Sequence, residues 1–236
     1  HVFTVQVETP LEHMQVECDA HGQRVKWRLP SWIPGSYLIR EFSRNVLDFS
    51  VDLNGQRLRS TKSAKDEWVA VVPNGASGTV TATYRVYAWD LSVRGAHFDQ
   101  HHAFINGTSA YVCPVGMESS KVELTITRPQ HCGEGTWQFC CGLNTPEMPL
   151  RHGCLDVEPG GSVALEADCY DSLIDHPFEF GQLITAEFMA HGVPHYLAFY
   201  GADEDLDVDR LCADLKPVCE AQIALFEPET QKAPFS

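Results

Sequence analysis

Period-two alternation of apolar and polar residues, repeated in short segments across the first 170 positions, restricts this chain to a β-rich fold. Val2-Phe3-Thr4-Val5-Gln6-Val7, Arg24-Val25-Lys26-Trp27-Arg28-Leu29 and Lys121-Val122-Glu123-Leu124-Thr125-Ile126 each gather apolar side chains on one face, because successive Cβ atoms of a strand point to opposite sides. The run Val46–Leu53 alternates in the same way and meets Asn54-Gly55. That dipeptide is a hairpin signal, since both residues tolerate φ > 0. Residues 79–89 form the longest run, rich in β-branched and aromatic side chains. Pro73-Asn74-Gly75, Ser77-Gly78, Pro114, Gly116 and Pro129 supply the turns between runs. Short strands without a long helical pattern among them predict an antiparallel β-sandwich over residues 1–170.

The pattern changes after Tyr170-Asp171. Two further strands are expected at 183–189 and 195–200, followed by a helix near 205–226. Asp203-Glu204-Asp205 offer its N-cap, and Leu206, Leu211, Leu215, Val218, Cys219, Gln222 and Phe226 fall at helical spacing. Pro217 within that run should kink or divide it. Residues 171–236 therefore read as a linker and the beginning of a second, incomplete domain. The expected fold class is mainly β: an antiparallel sandwich followed by a small α+β segment.

A formal net charge of −15 argues against nucleic acid, whose phosphates require a basic footprint. No apolar run approaches the ~20 residues that span a bilayer, so no membrane partner is expected. Residues 171–236 hold 3 basic against 13 acidic side chains, which favours solubility or the steering of a cationic substrate. The nine cysteines are an odd number without the close, regular spacing of a secreted scaffold, and Cys140 and Cys141 are adjacent. Reduced thiols in a bacterial-type cytoplasm are the expectation. The opening residues HVFTVQVETP show no signal-peptide pattern.

Three constellations invite a chemical reading. The stretch Pro30-Ser31-Trp32-Ile33-Pro34-Gly35-Ser36-Tyr37-Leu38-Ile39-Arg40-Glu41-Phe42-Ser43-Arg44 combines helix- and strand-breaking residues with large aromatics. It is expected to be a buried loop across one end of the sandwich. His97, Asp99 and His101 share one face of a strand, with His102 beside them, but same-face residues ~6–7 Å apart are widely set for one ion. Hydrogen-bonded histidines are the better reading. Cys132, Cys140, Cys141 and Cys154 match no zinc-ribbon spacing. Trp27, Trp32, Trp68, Trp89 and Trp137 are dispersed among strand patterns and look mostly like core. A free-standing carbohydrate- or peptide-binding module remains the alternative.

The element Trp32-x-Pro34-Gly35-Ser36-Tyr37-x-Ile39-Arg40 resembles the signature near the start of the glycyl aminopeptidase family of zinc metallopeptidases. The resemblance continues through Lys65-Asp66-Glu67-Trp68, Tyr84-Arg85-Val86-Tyr87-Ala88, Ser92-Val93-Arg94 and Phe104-Ile105-Asn106-Gly107-Thr108-Ser109. It extends to the stretch from Tyr170-Asp171-Ser172 to Phe180-Gly181. It implies a parent with an amino-terminal β-sandwich, a thermolysin-like catalytic domain and a PDZ-like domain. In such a parent an H-E-x-x-H helix holds zinc and removes small amino-terminal residues, glycine or alanine, from peptides.

These 236 residues contain no H-E-x-x-H. No catalytic or metal-ligating residue can be carried over, and no zinc is expected in this chain. By analogy with distantly similar aminopeptidases, Gln100, Asn106, Thr108 or Ser109 could meet the substrate's amino group at a domain interface. The alternative for Asn106-Gly107 is a turn with φ > 0 capped by Thr108. Tyr170, Leu173, Ile174 and Phe178 are expected to pack where the two domains join.

Overall fold

The computed structural model describes residues 1–19, 22–145, 154–203 and 205–226. All of its strand pairings are antiparallel. One sheet runs in the order Val2–Pro10, Thr79–Tyr87, Val46–Leu53 and Gln56–Arg57. A second contains Cys113–Pro114, Gly22–Arg28, Glu67–Val72 and Ser60–Lys62. The two enclose an aromatic centre. Phe49 stacks on Trp68 at 4.8 Å and on Tyr84 at 5.5 Å, and Trp27 meets Phe49 edge-on at 5.9 Å. Val25, Trp27, Val51 and Val80 are fully buried there. Each is an inward member of an alternating run, so the pattern in sequence becomes the core directly.

The Asn54-Gly55 hairpin forms as expected, with φ of 50° and 80° at its two central residues and Leu53 opposite Gln56. Asn54 also ties the neighbouring turn. Its side chain donates to the Ser77 carbonyl at 2.9 Å and accepts from the Thr79 N–H at 3.0 Å.

A third, five-stranded sheet has the order Cys154–Val157, Trp137–Cys141, Phe178–Gly181, His102–Ile105 and Ala96–Phe98. The ribbon Val122–Thr127 with Ser162–Ala167 forms a separate pair. Phe178–Gly181 lies in the middle of the five-stranded sheet, so this sheet takes in residues beyond the expected boundary at 170. The short helix Tyr170–Asp175 buries Tyr170 and Leu173, and Tyr170 donates to the Tyr111 carbonyl at 2.5 Å. Leu173, Ile174 and Phe178 all pack in or against the main core.

Past Gly181 the hairpin Ile184–Ala190 and Val193–Phe199 supports the helix Val208–Phe226, which packs on its first strand. The helix runs through Pro217 without dividing. Its cap is Asp207, whose carboxylate accepts from the Arg210 N–H at 3.0 Å, rather than the earlier Asp203 or Asp205. Glu204 and the stretch Ala233-Pro234-Phe235-Ser236 lie outside the described residues. No described helix is long and apolar enough to cross a membrane.

The expectation of reduced thiols is overturned at one pair. Cys140 and Cys154 are bonded in a disulfide. They are directly opposite partners of paired strands, which brings the two sulfurs together although Cys141, next along the chain, stays free.

Candidate functional site

The stretch 31–40 is built as a tight, internally bonded loop. Pro34 and Gly35 occupy the centre of a turn closed by the Ser36 N–H donating to the Ile33 carbonyl at 3.1 Å. Gly35 takes φ 80°, the left-handed conformation that a type II turn demands at this place. Buried Ser36 is the hub. Its Oγ donates to the Leu38 carbonyl at 2.9 Å and accepts from the Leu38 N–H at 3.3 Å and from Arg40 Nε at 3.1 Å. The Trp32 indole N–H donates to the Ser36 carbonyl at 2.9 Å.

The outcome differs from a buried packing loop. Tyr37 is fully exposed at 102%, Ile39 at 72%, Leu38 at 63% and Trp32 at 47%. Ile33 packs against the core and Phe42, where the loop enters the turn Phe42–Asn45, is buried in it, so the loop is anchored by those two side chains while the others project outward. Bonds to Ser36 hold the backbone so that these apolar side chains project into solvent. Trp89 is likewise 53% exposed, so Trp27, Trp68 and Trp137 are core tryptophans while Trp32 and Trp89 are not.

The turn Phe42–Asn45 packs against a second turn, Gly107–Ser109. Asn106 caps it. Its Oδ1 accepts from the Thr108 N–H at 3.1 Å, and the Ser109 hydroxyl donates to the Asn106 carbonyl at 2.8 Å. The Asn106 amide donates outward to the Val93 carbonyl at 3.0 Å, fixing a loop on which Leu91 and Val93 are exposed. Asn106 has φ −87°, so the turn is capped by Asn106 rather than built on φ > 0. Asn106, Thr108 and Ser109 are buried. Gln100 is exposed and stands at the other end of the strand His102–Ile105. The structure thus unites Asn106, Thr108 and Ser109 and separates Gln100 from them.

The histidine-rich segment forms a hydrogen-bonded cluster. His97 Nε2 lies 3.2 Å from Asp99 Oδ2, and Asp99 Oδ1 accepts from the N–H groups of His101 at 2.7 Å and His102 at 2.9 Å. Burial pushes the Asp99 carboxyl up, but those N–H donors and the His97 ring together hold it below its ordinary range. His102 bonds Glu179 through Nε2 and stacks on Tyr200 at 3.8 Å. Burial and the nearby charges of Asp99 and Glu179 push the Tyr200 hydroxyl up. Among the described residues no group of three or more His, Cys, Asp or Glu is arranged to hold a metal. Sequence reasoning overlooked Glu179 and Tyr200 as partners. They lie 77 and 98 residues from His102, and no local spacing links them.

It also overlooked Arg128, which is completely buried and has no carboxylate partner among the described residues. Its guanidinium donates to the carbonyls of Gly135 at 2.7 Å, Val157 at 2.9 Å and Cys132 at 2.9 Å, and lies 4.6 Å over the Trp137 ring. The available cue was a basic residue at a strand end followed by the glycine-bearing 133–135 turn.

Comparison with known proteins fits this architecture. Residues 1–182 match the Peptidase M61 N-terminal domain. The structure superposes on the crystal structure of an aminopeptidase N family protein from Idiomarina loihiensis with a TM-score of 0.78 and 35% sequence identity. That match covers 96% of this chain and 35% of the Idiomarina chain, so the present chain spans about a third of that relative's length. No curated protein matches. With the family match extending over more than three quarters of its residues, the chain belongs to the family defined by the Peptidase M61 N-terminal domain.

Proposed function

We propose that this chain is the non-catalytic scaffold of a zinc-dependent aminopeptidase of the glycyl aminopeptidase type. In the whole enzyme it walls one side of the active-site cleft, and the whole enzyme releases small amino-terminal residues, glycine or alanine. The zinc and its ligands belong to the H-E-x-x-H part of that enzyme, outside these residues. The partners are then a peptide substrate and the enzyme's own catalytic and PDZ-like domains. The boundary between scaffold and catalytic part is set near 170–181. A disulfide such as Cys140–Cys154 persists in an oxidising compartment, which favours secretion or the periplasm over the cytoplasm.

The observation that carries this reading is the rigid loop 31–40. A monomeric surface seldom holds contiguous large apolar side chains in water, and where it does the patch commonly marks an interface. Here the bonds of Ser36 to the Leu38 backbone and to Arg40 set the path of the chain that carries Tyr37, Leu38 and Ile39 before any partner arrives, so docking has mainly side-chain rather than backbone entropy to lose. Asn106, Thr108 and Ser109 serve the cleft from behind, by fixing the neighbouring 91–95 loop through the Val93 carbonyl. Of the four substrate-binding candidates, Gln100 alone has an exposed side chain for an α-ammonium group.

The test is kinetic, in a polypeptide carrying both this region and the H-E-x-x-H part. Tyr37→Ser with Ile39→Ser should lower kcat/KM for glycyl and alanyl peptides at least ~10-fold, the effect of misplacing a cleft wall. Asn106→Ala should raise KM, and a larger KM effect from Gln100→Ala would place the cleft at the opposite end of its strand. Unaltered kinetics in all three, or sugar binding without peptide hydrolysis, would remove the proposal.

A further inference from the structure

A cavity of about 170 Å³ opens between two strands whose facing sides carry no strand partner among the described residues. Val2–Pro10 is the terminal strand of its sheet, and Val122–Thr127 pairs only with Ser162–Ala167 among the described residues. Consecutive residues from each strand, 3–6 and 124–127, line the opening, so the backbone edges as well as the side chains border it. Phe3, Val5, Leu124 and Ile126 form apolar walls.

The floor comes from the five-stranded sheet, through Ala103, Ile105, Phe178, Phe180 and Trp137. Trp137 meets Phe180 edge-to-face at 5.2 Å, and Phe139 meets Phe180 in the same way at 5.5 Å. The Arg128 guanidinium lies 4.6 Å over the Trp137 ring. A floor so braced does not relax easily to close the space. The pocket opens to solvent past the exposed Thr4, Gln6, Thr125 and Thr127, so a ligand can enter it, and an apolar one gains by covering its apolar lining from water.

We infer that this cavity is a binding site for a compact apolar molecule of about eight to ten heavy atoms bearing one polar end. An apolar cavity near 150 Å³ is known to take benzene, which sets the scale. The aromatic floor favours a flat ring through edge-to-face contact. Thr4, Gln6, Thr125 and Thr127 line its exposed side. Thr127 shares its hydroxyl with Ser162 and Gln6 donates to Thr83, so the Thr4 and Thr125 hydroxyls and the strand edges are the groups that can meet the polar end. The site shares no lining residue with the loops at 31–40 and 91–95, and it does not depend on the peptidase reading.

Indole is a suitable probe, with one ring system and one N–H. Titrated into the 236-residue chain and followed by NMR, it should bind saturably with Kd of ~0.1–1 mM, as befits a ligand of this size. Intermolecular NOEs should connect its ring protons to the methyls of Ile105 and Leu124. Ala103→Leu fills the cavity from the floor and Leu124→Trp fills it from the half-buried wall. Each should weaken binding at least 10-fold, and either suffices if the other fails to fold. Absence of saturation at millimolar indole, NOEs to a different part of the molecule, or binding undiminished in the folded variants would overturn the inference.

Discussion

The Trp27–Phe49–Trp68–Tyr84 centre and the 31–40 loop use similar residues with opposite results. In the first, aromatic side chains arrive on alternating strands and are buried against one another. In the second, Trp32, Tyr37, Leu38 and Ile39 are at least half as exposed as in an extended chain or nearly so. The difference is one of backbone chemistry. A strand sends every second side chain inward without further instruction. A proline-glycine turn pinned by one serine sends side chains wherever its hydrogen bonds dictate. Hydrophobic composition therefore does not by itself decide burial in this molecule, and the exposed group is the one that gains from a partner.

The sharpest way to break this contrast is to truncate the centre. Trp27→Ala should cost ~3–5 kcal/mol of folding stability, the range for removing a large buried aromatic, read from the urea midpoint. A loss below ~1 kcal/mol would mean that the two regions do not differ as described. Tyr84→Phe keeps the ring but removes a hydroxyl that donates to the Ala110 carbonyl at 2.8 Å and accepts from the Val112 N–H at 2.9 Å. Leaving those two buried groups unpaired should cost ~1–3 kcal/mol. Burial also raises the Tyr84 hydroxyl well above its ordinary pKa, so its absorbance should not titrate in the folded protein before alkaline unfolding.

Asp99 sharpens the comparison at a site between these extremes. Its folded carboxyl is held below the ordinary value, so the folded state binds the proton more weakly than the unfolded chain. The stabilisation is then present above about pH 4 and fades as the pH falls through the lower folded value. Asp99→Asn should remove that part of the acid sensitivity, giving a shallower loss of stability as the pH falls below about 4. An unchanged acid profile would show that the cluster does not hold Asp99 ionised. The smallest effect belongs to the loop. Tyr37→Ser should alter stability by less than ~0.5 kcal/mol, while lowering the binding of hydrophobic dyes.

These contrasts also mark how far the sequence could be read. Alternation located the paired strands, and Asn54-Gly55 located a hairpin, because both depend on neighbours along the chain. The same local logic found the strands 184–199 and the last helix, but it missed that Asp207 caps it and that it continues undivided through Pro217. What failed was non-local. Cys140 meets Cys154 because two strands pair in one register, and a shift by one residue would have offered Cys141 instead. His102 finds Glu179 only once Phe178–Gly181 enters the middle of the five-stranded sheet. The outward projection of Tyr37 rests on hydrogen bonds to Ser36 that no hydropathy pattern encodes. Among the candidate substrate residues, the motif singled out the segment 104–109 but could not reveal that Asn106 turns its amide toward Val93.

The central claim is that the hydrolytic centre lies outside these residues and that they form the scaffold beside it. The most direct measurement incubates the purified 236-residue chain, with zinc supplied, against glycyl and alanyl peptides and follows release of free amino acid. The account predicts release no faster than in buffer with zinc alone. Release that depends on the protein and stops on addition of a chelator would contradict it.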